Sequence, residues 1–256
     1  MRTKVLTAKN CPAVLADAGS VAELCANPQA HSEVTMIHNG RNRVVLFSDA
    51  KSGHQYVIKC FKKPNMAQRV AYTWFTPSKA KRAYRYAAKL RERGIDTPRE
   101  VACIEVYERG MLSRGYFICE YCPWPSLASL WLPAQPFTQA QIELLAQTLV
   151  DMHLAGVLHG DTNIGNFLYD AEHNAMTTVD VNRTRFHDRV LSQRECLDNM
   201  VRLTHRTDVL KKVGELYAAK RGWNKDECVK YLLDNLLRFE QKRNRRNKLK
   251  HILFLR

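Results

Sequence analysis

Nowhere do the 256 residues string together the roughly 18 apolar residues that a membrane span requires, although 45% of them are hydrophobic. The opening stretch, MRTKVLTAKNCPAVLADAG, has no continuous apolar h-region. No secretory signal is therefore expected, and the chain should stay in the cytosol. The eight cysteines (11, 25, 60, 103, 119, 122, 196 and 228) are expected there as reduced thiols. Cys119-Glu-Tyr-Cys122 has metal-like spacing, but no second Cys/His pair accompanies it, which argues against a structural zinc site. Internal repeats and low-complexity tracts are also missing. What is left is a globular protein long enough for one large domain or two lobes.

Charge is abundant and unevenly placed. The net charge is +15, and two segments account for it. Cys60–Arg93 carries ten Lys/Arg against Glu92 alone, and Arg238–Arg256 carries eight against Glu240 alone. Two solvated basic faces would explain this. So would a surface for phosphates, whether of nucleic acid, anionic lipid or a phosphorylated glycan.

Residues 1–30 are weakly patterned and read as an N-terminal extension. From Glu33 the alternation sharpens. EVTMIHNGRNRVVLF predicts two strands joined by a polar turn, and HQYVIKCF predicts a third whose alternation ends on Lys59. SKAKRAYRYAAKLRERG predicts a helix capped by Ser78 and stopped by Gly94. VACIEVYE and YFICEY predict a strand pair around Arg109-Gly110. After CPWP the pattern turns helical. Thr138-Gln-Ala-Gln141 is a capping box, and Ile142, Leu145, Leu149 and Met152 form the stripe of the helix it starts. The expected fold is α+β and two-lobed. Residues 31–122 form a small β-rich N-lobe with one helix, and 123–256 a helical C-lobe ending in a basic helix.

The chemistry concentrates in VLHGDTNIGNFLYD. Asp161 and Asn166 stand in the spacing H-x-D-x-x-x-x-N, which in phosphoryl transfer supplies a base for the hydroxyl and an amide ligand for magnesium. Nineteen residues past Asp161, TTVDVNRTRF supplies Asp180 after a short strand, where a second magnesium ligand is needed. Lys59 ends the third strand, where a phosphate-binding lysine belongs. The turn Asn39-Gly40-Arg41-Asn42 can bring backbone N–H groups to phosphates. Each element alone is a common accident: a strand-terminal Lys is usually solvated, and an Asp after a strand is usually a turn residue. Four of them in kinase order make a pattern.

The motifs NGRNRVV, YVIKCFKKPN, SKAKRAY, RGIDTP, LHGDTNIGNFLYD and VDVNRTRF resemble the lipopolysaccharide kinase family, over about residues 33–210. The resemblance implies a protein-kinase-like fold, with ATP and Mg2+ as cofactors. It also implies a sugar acceptor, Kdo or heptose, on a Kdo-lipid A type lipid at the cytoplasmic face of the bacterial inner membrane. By that analogy Asp161 is the catalytic base, Asn166 and Asp180 hold magnesium, and Lys59 holds the nucleotide phosphates. Ile118–Pro123, with Glu120 and Cys122, would meet adenine. Two departures stand out. Gly160 replaces the arginine usual between His and Asp in protein kinases, as in small-molecule phosphotransferases. Between Lys59 and Glu92 there is no Asp or Glu, and Arg85 stands where the family's helix acid would pair with the lysine. Either another acid such as Glu92 completes the pair, or Lys59 works alone, or the site has decayed. The last case would make the protein a pseudokinase or membrane-associated scaffold. Another small-molecule phosphotransferase is the remaining enzyme reading, and nucleic-acid binding leaves the kinase spacing unexplained.

The C-terminal RFEQKRNRRNKLKHILFLR joins seven cations from Lys242 to Arg256 with Ile252, Leu253, Phe254 and Leu255. That composition suits the anionic inner-membrane surface, where each Lys/Arg contributes on the order of 1 kcal/mol. Deleting everything after Asn244 should leave a folded, nucleotide-competent protein with reduced flotation on anionic liposomes. Wild-type flotation should fall steeply with salt. A truncated protein that aggregates or loses its melting transition would show that the tail is structural.

Overall fold

In the computed structural model the backbone of residues 2–254 and the side chains of residues 2–246 are described. The apolar cluster Ile252–Leu255 lies outside the described side chains. The chain divides into two compact units. One comprises Met1–Pro123 with Val179–Arg183, the other Trp124–Thr178 with Thr184–Arg256.

The first unit is built on a six-stranded antiparallel sheet. Its strands are β1 (Arg2–Thr7), β2 (Val34–Asn39), β3 (Arg43–Ser48), β4 (Gln55–Cys60), β5 (Glu100–Glu108) and β6 (Met111–Glu120), in the order β1-β5-β6-β4-β3-β2. The β5–β6 hairpin turns at Arg109 and Gly110, both with positive φ. The weakly patterned N-terminus is part of this unit: β1 pairs with β5 along its whole length, Arg2 opposite Tyr107 through Thr7 opposite Ala102. It escaped the sequence reading because β1 is an exposed edge strand, with no buried face to impose alternation.

Two helices follow β1, α1 (Ala13–Ala16) and α2 (Ala18–Ala26). Their Leu15, Val21, Leu24 and Cys25 are buried with Val45, Tyr56, Ile58, Cys60, Ile104 and Ile118 in one cluster, which closes one face of the sheet. After the short helix α3 (Met66–Val70) and a π-helical turn at Ala71–Phe75 comes α4 (Lys79–Glu92). Ser78 caps α4 by accepting from the Lys81 N–H, and Gly94 follows its end with φ +75. Through Ala80 and Tyr84, α4 packs with Phe61, Cys103 and Phe117. Cys103 lies between Ala102 and Ile104, so the period of two along β5 puts α4 on the face opposite α1 and α2.

The second unit is mainly helical: α5 (Leu127–Trp131), α6 (Gln139–Leu154), α7 (Gln193–Met200), α8 (Thr207–Arg221) and α9 (Lys225–Phe254). Thr138 and Gln141 close the expected capping box of α6. Between α6 and α7 run four short strands, β7 (Val157–Leu158), β8 (Phe167–Asp170), β9 (Ala175–Thr178) and β10 (Arg185–Phe186), paired β7 with β10 and β8 with β9. Gly156 makes the corner before β7. Its φ is +69, and a Cβ there would lie 2.1 Å from the His187 carbonyl oxygen, so no larger residue fits. No helix among the described residues is long and apolar enough to cross a membrane.

If α1 is part of the core, truncating its fully buried Leu15 has the cost of a core cavity. Leu15→Ala should lower the unfolding free energy by about 2–5 kcal/mol, read from urea denaturation. A change under about 0.5 kcal/mol, the scale of a surface substitution, would show the helix to be an appendage.

Candidate active site

Strand β4 buries Tyr56, Ile58 and Cys60 on the α1–α2 side and turns Lys59 to the other. There the Lys59 ammonium meets a carboxylate: Nζ lies 2.6 Å from Oδ1 of Asp180, with the two side chains 18% and 34% exposed. This pair answers the question of the missing helix acid. Glu92 is exposed at the end of α4, and the lysine's partner is Asp180, expected as a metal ligand. Asp180 sits at φ +58, a conformation costly for a residue with a Cβ and one that concentrates at functional sites. Its Oδ1 also accepts from the Asn182 side-chain amide.

Cations surround that carboxylate. Arg82 donates from Nε to the Asn182 carbonyl at 3.1 Å, so the α4 face turned toward the 179–183 segment carries Arg82. Arg85, the position compared with the family acid, is exposed. Burial, then the charges of Arg41, Arg183 and Arg82, pushes the Lys79 ammonium below the ordinary lysine range, while Asp180 opposes them. Four cations press on one another here around a carboxylate already engaged by a fifth. Such a cluster sets up a positive local potential.

In the second unit, the β7–β10 pair leads directly into His159-Gly160-Asp161. Asp161 is half-buried. Its carbonyl accepts from the Asn166 side-chain N–H at 2.8 Å, which leaves the Asn166 amide oxygen as the end that can take a cation. Thr162 donates its hydroxyl to the His159 carbonyl at 2.7 Å, and Asn199 donates to the same oxygen at 2.9 Å. Asn199 is held in turn by buried His153, Nε2 to Oδ1 at 3.1 Å, and His153 Nδ1 meets the Tyr217 hydroxyl at 2.8 Å. Because an amide oxygen only accepts, His153 is protonated on Nε2 and accepts from Tyr217 at Nδ1. The relay from α8 through α6 and α7 thus fixes the backbone next to Asp161. Sequence reasoning missed it, since Tyr217, His153 and Asn199 each read as an ordinary helix residue.

The remaining expected contacts are more modest. In the β2–β3 turn the Gly40 N–H donates to the Asn42 carbonyl at 3.3 Å, and Asn42 Oδ1 accepts from the Lys62 N–H at 3.1 Å. Arg41 is exposed, as is Asn39, which pairs with Arg43 in the ladder. The turn therefore satisfies some of its own donors instead of presenting them all. Glu120 ends β6 with its side chain exposed and its N–H donating to the Arg99 carbonyl at 2.9 Å; Cys122 is half-buried. Among the described residues no group of three His, Cys, Asp or Glu could hold a metal. Asp180 in the first unit and Asn166 in the second each carry a hard oxygen donor of the kind magnesium takes.

The profile of the lipopolysaccharide kinase (Kdo/WaaP) family matches residues 29–226. The chain belongs to this family. It is therefore of a kinase family of lipopolysaccharide biosynthesis, and family membership implies nucleotide use. Among solved structures, the kinase-like fold is shared with WaaP in complex with acyl carrier protein, at 17% identity and TM-score 0.55, over 94% of this chain and 98% of that one. WbdD with the kinase inhibitor LY294002 aligns more loosely, at 16% identity and TM-score 0.45, over 77% of this chain and 44% of that one. None of the curated proteins compared with the chain matches it.

The relay behind the His159-Gly160-Asp161 loop carries a pH dependence. Burial, reinforced by Arg221 and opposed by the bond to Asn199, pushes His153 from 6.5 down to about 4. Between those values the unfolded chain binds a proton that the folded protein does not. Stability present above pH 6.5 is therefore lost as pH falls toward 4, by about 3 kcal/mol in full. Denaturation midpoints across this window should show the loss in wild type, and His153→Gln should flatten it. An equal slope in both proteins would assign the effect to other groups.

Proposed function

We propose that the protein is an ATP- and Mg2+-dependent kinase that phosphorylates a sugar hydroxyl, of Kdo or heptose, in the lipopolysaccharide inner core. Its acceptor would be lipid-linked, of Kdo-lipid A type, and the enzyme would work as a peripheral protein on the anionic cytoplasmic face of the inner membrane. The observation that carries the reading is the Lys59–Asp180 pair in its surplus of cations. A lysine and a carboxylate held 2.6 Å apart are the two groups that must reach the phosphates and their metal. The surrounding Lys79, Arg82, Arg183 and Arg41 favour a multiply charged anion.

In this reading Asp161 accepts the proton of the attacking hydroxyl, and its backbone is fixed so that the base need not be reoriented at each turnover. Asn166 and Asp180 hold magnesium, which neutralises charge on the phosphoryl oxygens when bound. Lys59 passes from Asp180 to the phosphates when nucleotide arrives. Asn39, Gly40, Arg41 and Asn42 lie over the phosphates, and Glu120 and Cys122 line the adenine edge. The absence from α4 of an acid paired with Lys59 favours one alternative, a pseudokinase or scaffold of the same fold. The basic surplus disfavours small-molecule phosphotransferases whose acceptors are cationic.

The purified protein with ATP, Mg2+ and Kdo-lipid A should yield a product one phosphate heavier by mass spectrometry. Asp161→Asn should cut turnover by about 10²–10⁴ with nucleotide affinity nearly unchanged. Asp180→Asn should weaken magnesium-dependent nucleotide binding as well. Equal activity in all three proteins would exclude the assignment of these residues, and a wild type that binds nucleotide without turnover would favour the pseudokinase.

A further inference from the structure

The face of the sheet opposite Lys59 carries a second concentration of positive charge. Lys59 and Cys60 are neighbours on β4, so their side chains leave the sheet on opposite sides. Cys60 is 4% exposed. In register it stands opposite Arg43 on β3 and Tyr116 on β6. Above this row lies a pocket of about 690 Å³, lined by Arg41, Arg43, Lys62, Lys63 and Arg114 with Cys60 and Tyr116 among its walls. No carboxylate lines it among the described residues. One of its cations is paired outside it: Lys63 meets Glu108 at 3.4 Å, both half-exposed.

The pocket owes its room to α2, which contributes only the small side chains Ala22 and Ala26 to the wall. That helix precedes the matched residues 29–226, so the pocket is completed by a segment outside the family profile. Two of the cations are held in place. Arg43 donates from Nη1 to the Cys25 carbonyl at 3.2 Å, and Arg114 from Nη1 to Cys60 Sγ at 3.7 Å. Ordering them in the folded protein removes entropy that a ligand would otherwise have to offset. The field already acts on one group: a hydrogen bond from Cys25, then Arg114 and Arg43, holds the Cys60 thiol below its ordinary range despite burial.

We infer that this pocket is a second anion site, centred on Arg43, Lys62, Lys63 and Arg114 and meeting the β2–β3 turn at Gly40 and Arg41, which binds a phosphomonoester or polyphosphate group. Several cations converge there without a lining acid, and guanidinium forks match phosphate oxygens in pairs. A single carboxylate would leave most of this charge unmet. Gly40 and Arg41, which the kinase reading places over the phosphates, also line this pocket, so the inference is tested on Arg43, Lys62, Lys63 and Arg114, none of which belongs to that machinery. The phosphate can be free in solution or carried on a lipid headgroup.

The full-length Lys59→Ala protein lowers the charge of the Lys59 face, and the pocket variants assign the binding that remains. Titrated calorimetrically with inorganic tripolyphosphate in the absence of magnesium, it should bind. Adding Lys62→Glu and Arg114→Glu, both at exposed positions, should weaken that binding at least about tenfold. Lys62→Gln with Lys63→Gln should weaken it in the same direction and serves if the charge reversals misfold. Flotation with phosphatidylcholine vesicles doped with phosphatidic acid separates the sources. Co-flotation lost in the variants names a lipid-borne phosphate, whereas soluble binding without flotation names a free one. If the Lys59→Ala protein binds no tripolyphosphate, or binds it equally well in all these variants, the second site does not exist.

Discussion

Consecutive residues of a strand must leave it on opposite sides, and on β4 that constraint organises the first unit. Tyr56, Ile58 and Cys60 are buried beneath α1 and α2, which forces Lys59 to the other face, where it meets Asp180. A register slip of one residue would bury the lysine and expose Ile58, at a cost of several apolar side chains. The lysine's position is thus secured by its neighbours' burial and not by its own ion pair. The same alternation assigns Lys59 and the row of Arg43, Cys60 and Tyr116 to different faces.

Asp180 carries two burdens in this arrangement. Its backbone is in the left-handed region, and its carboxylate is the partner of Lys59 in a chain whose helix α4 has no acid facing it. Asn182 supports it from two residues away, and Arg82 ties Asn182 to α4. Where an acid on the helix would neutralise the lysine, this protein uses a carboxylate that its family's chemistry would also require for metal. Lys79, Arg82, Arg183 and Arg41 together raise the positive potential around that carboxylate.

The second unit reaches the same end by different means. Asp161 stands on a short loop, and loops owe their rigidity to what lies behind them. Here that is a buried relay from Tyr217 through His153 and Asn199 to the His159 carbonyl. The close approach at Gly156 adds a steric constraint one strand earlier. These contacts join residues 40 to 64 positions apart, which is why no local pattern announces them.

Features that depend on neighbours along the chain are legible in the residues alone. Alternation marked β2 through β6, Ser78 and Gly94 bounded α4, and the capping box began α6. The spacing of Asp161, Asn166, Asp180 and Lys59 marked the candidate chemistry before any contact was known. Alternation and capping act over one turn or one strand, so they are written in consecutive residues. Only the tertiary structure decided which acid meets Lys59, that Arg82 and not Arg85 is tied to the Asp180 segment, and that residues 2–26 furnish an edge strand and a core layer. An exposed edge strand has no buried face to betray it. An ion pair between positions 59 and 180 is chosen by the fold that brings them together, because Coulomb attraction acts through space and takes no account of sequence distance.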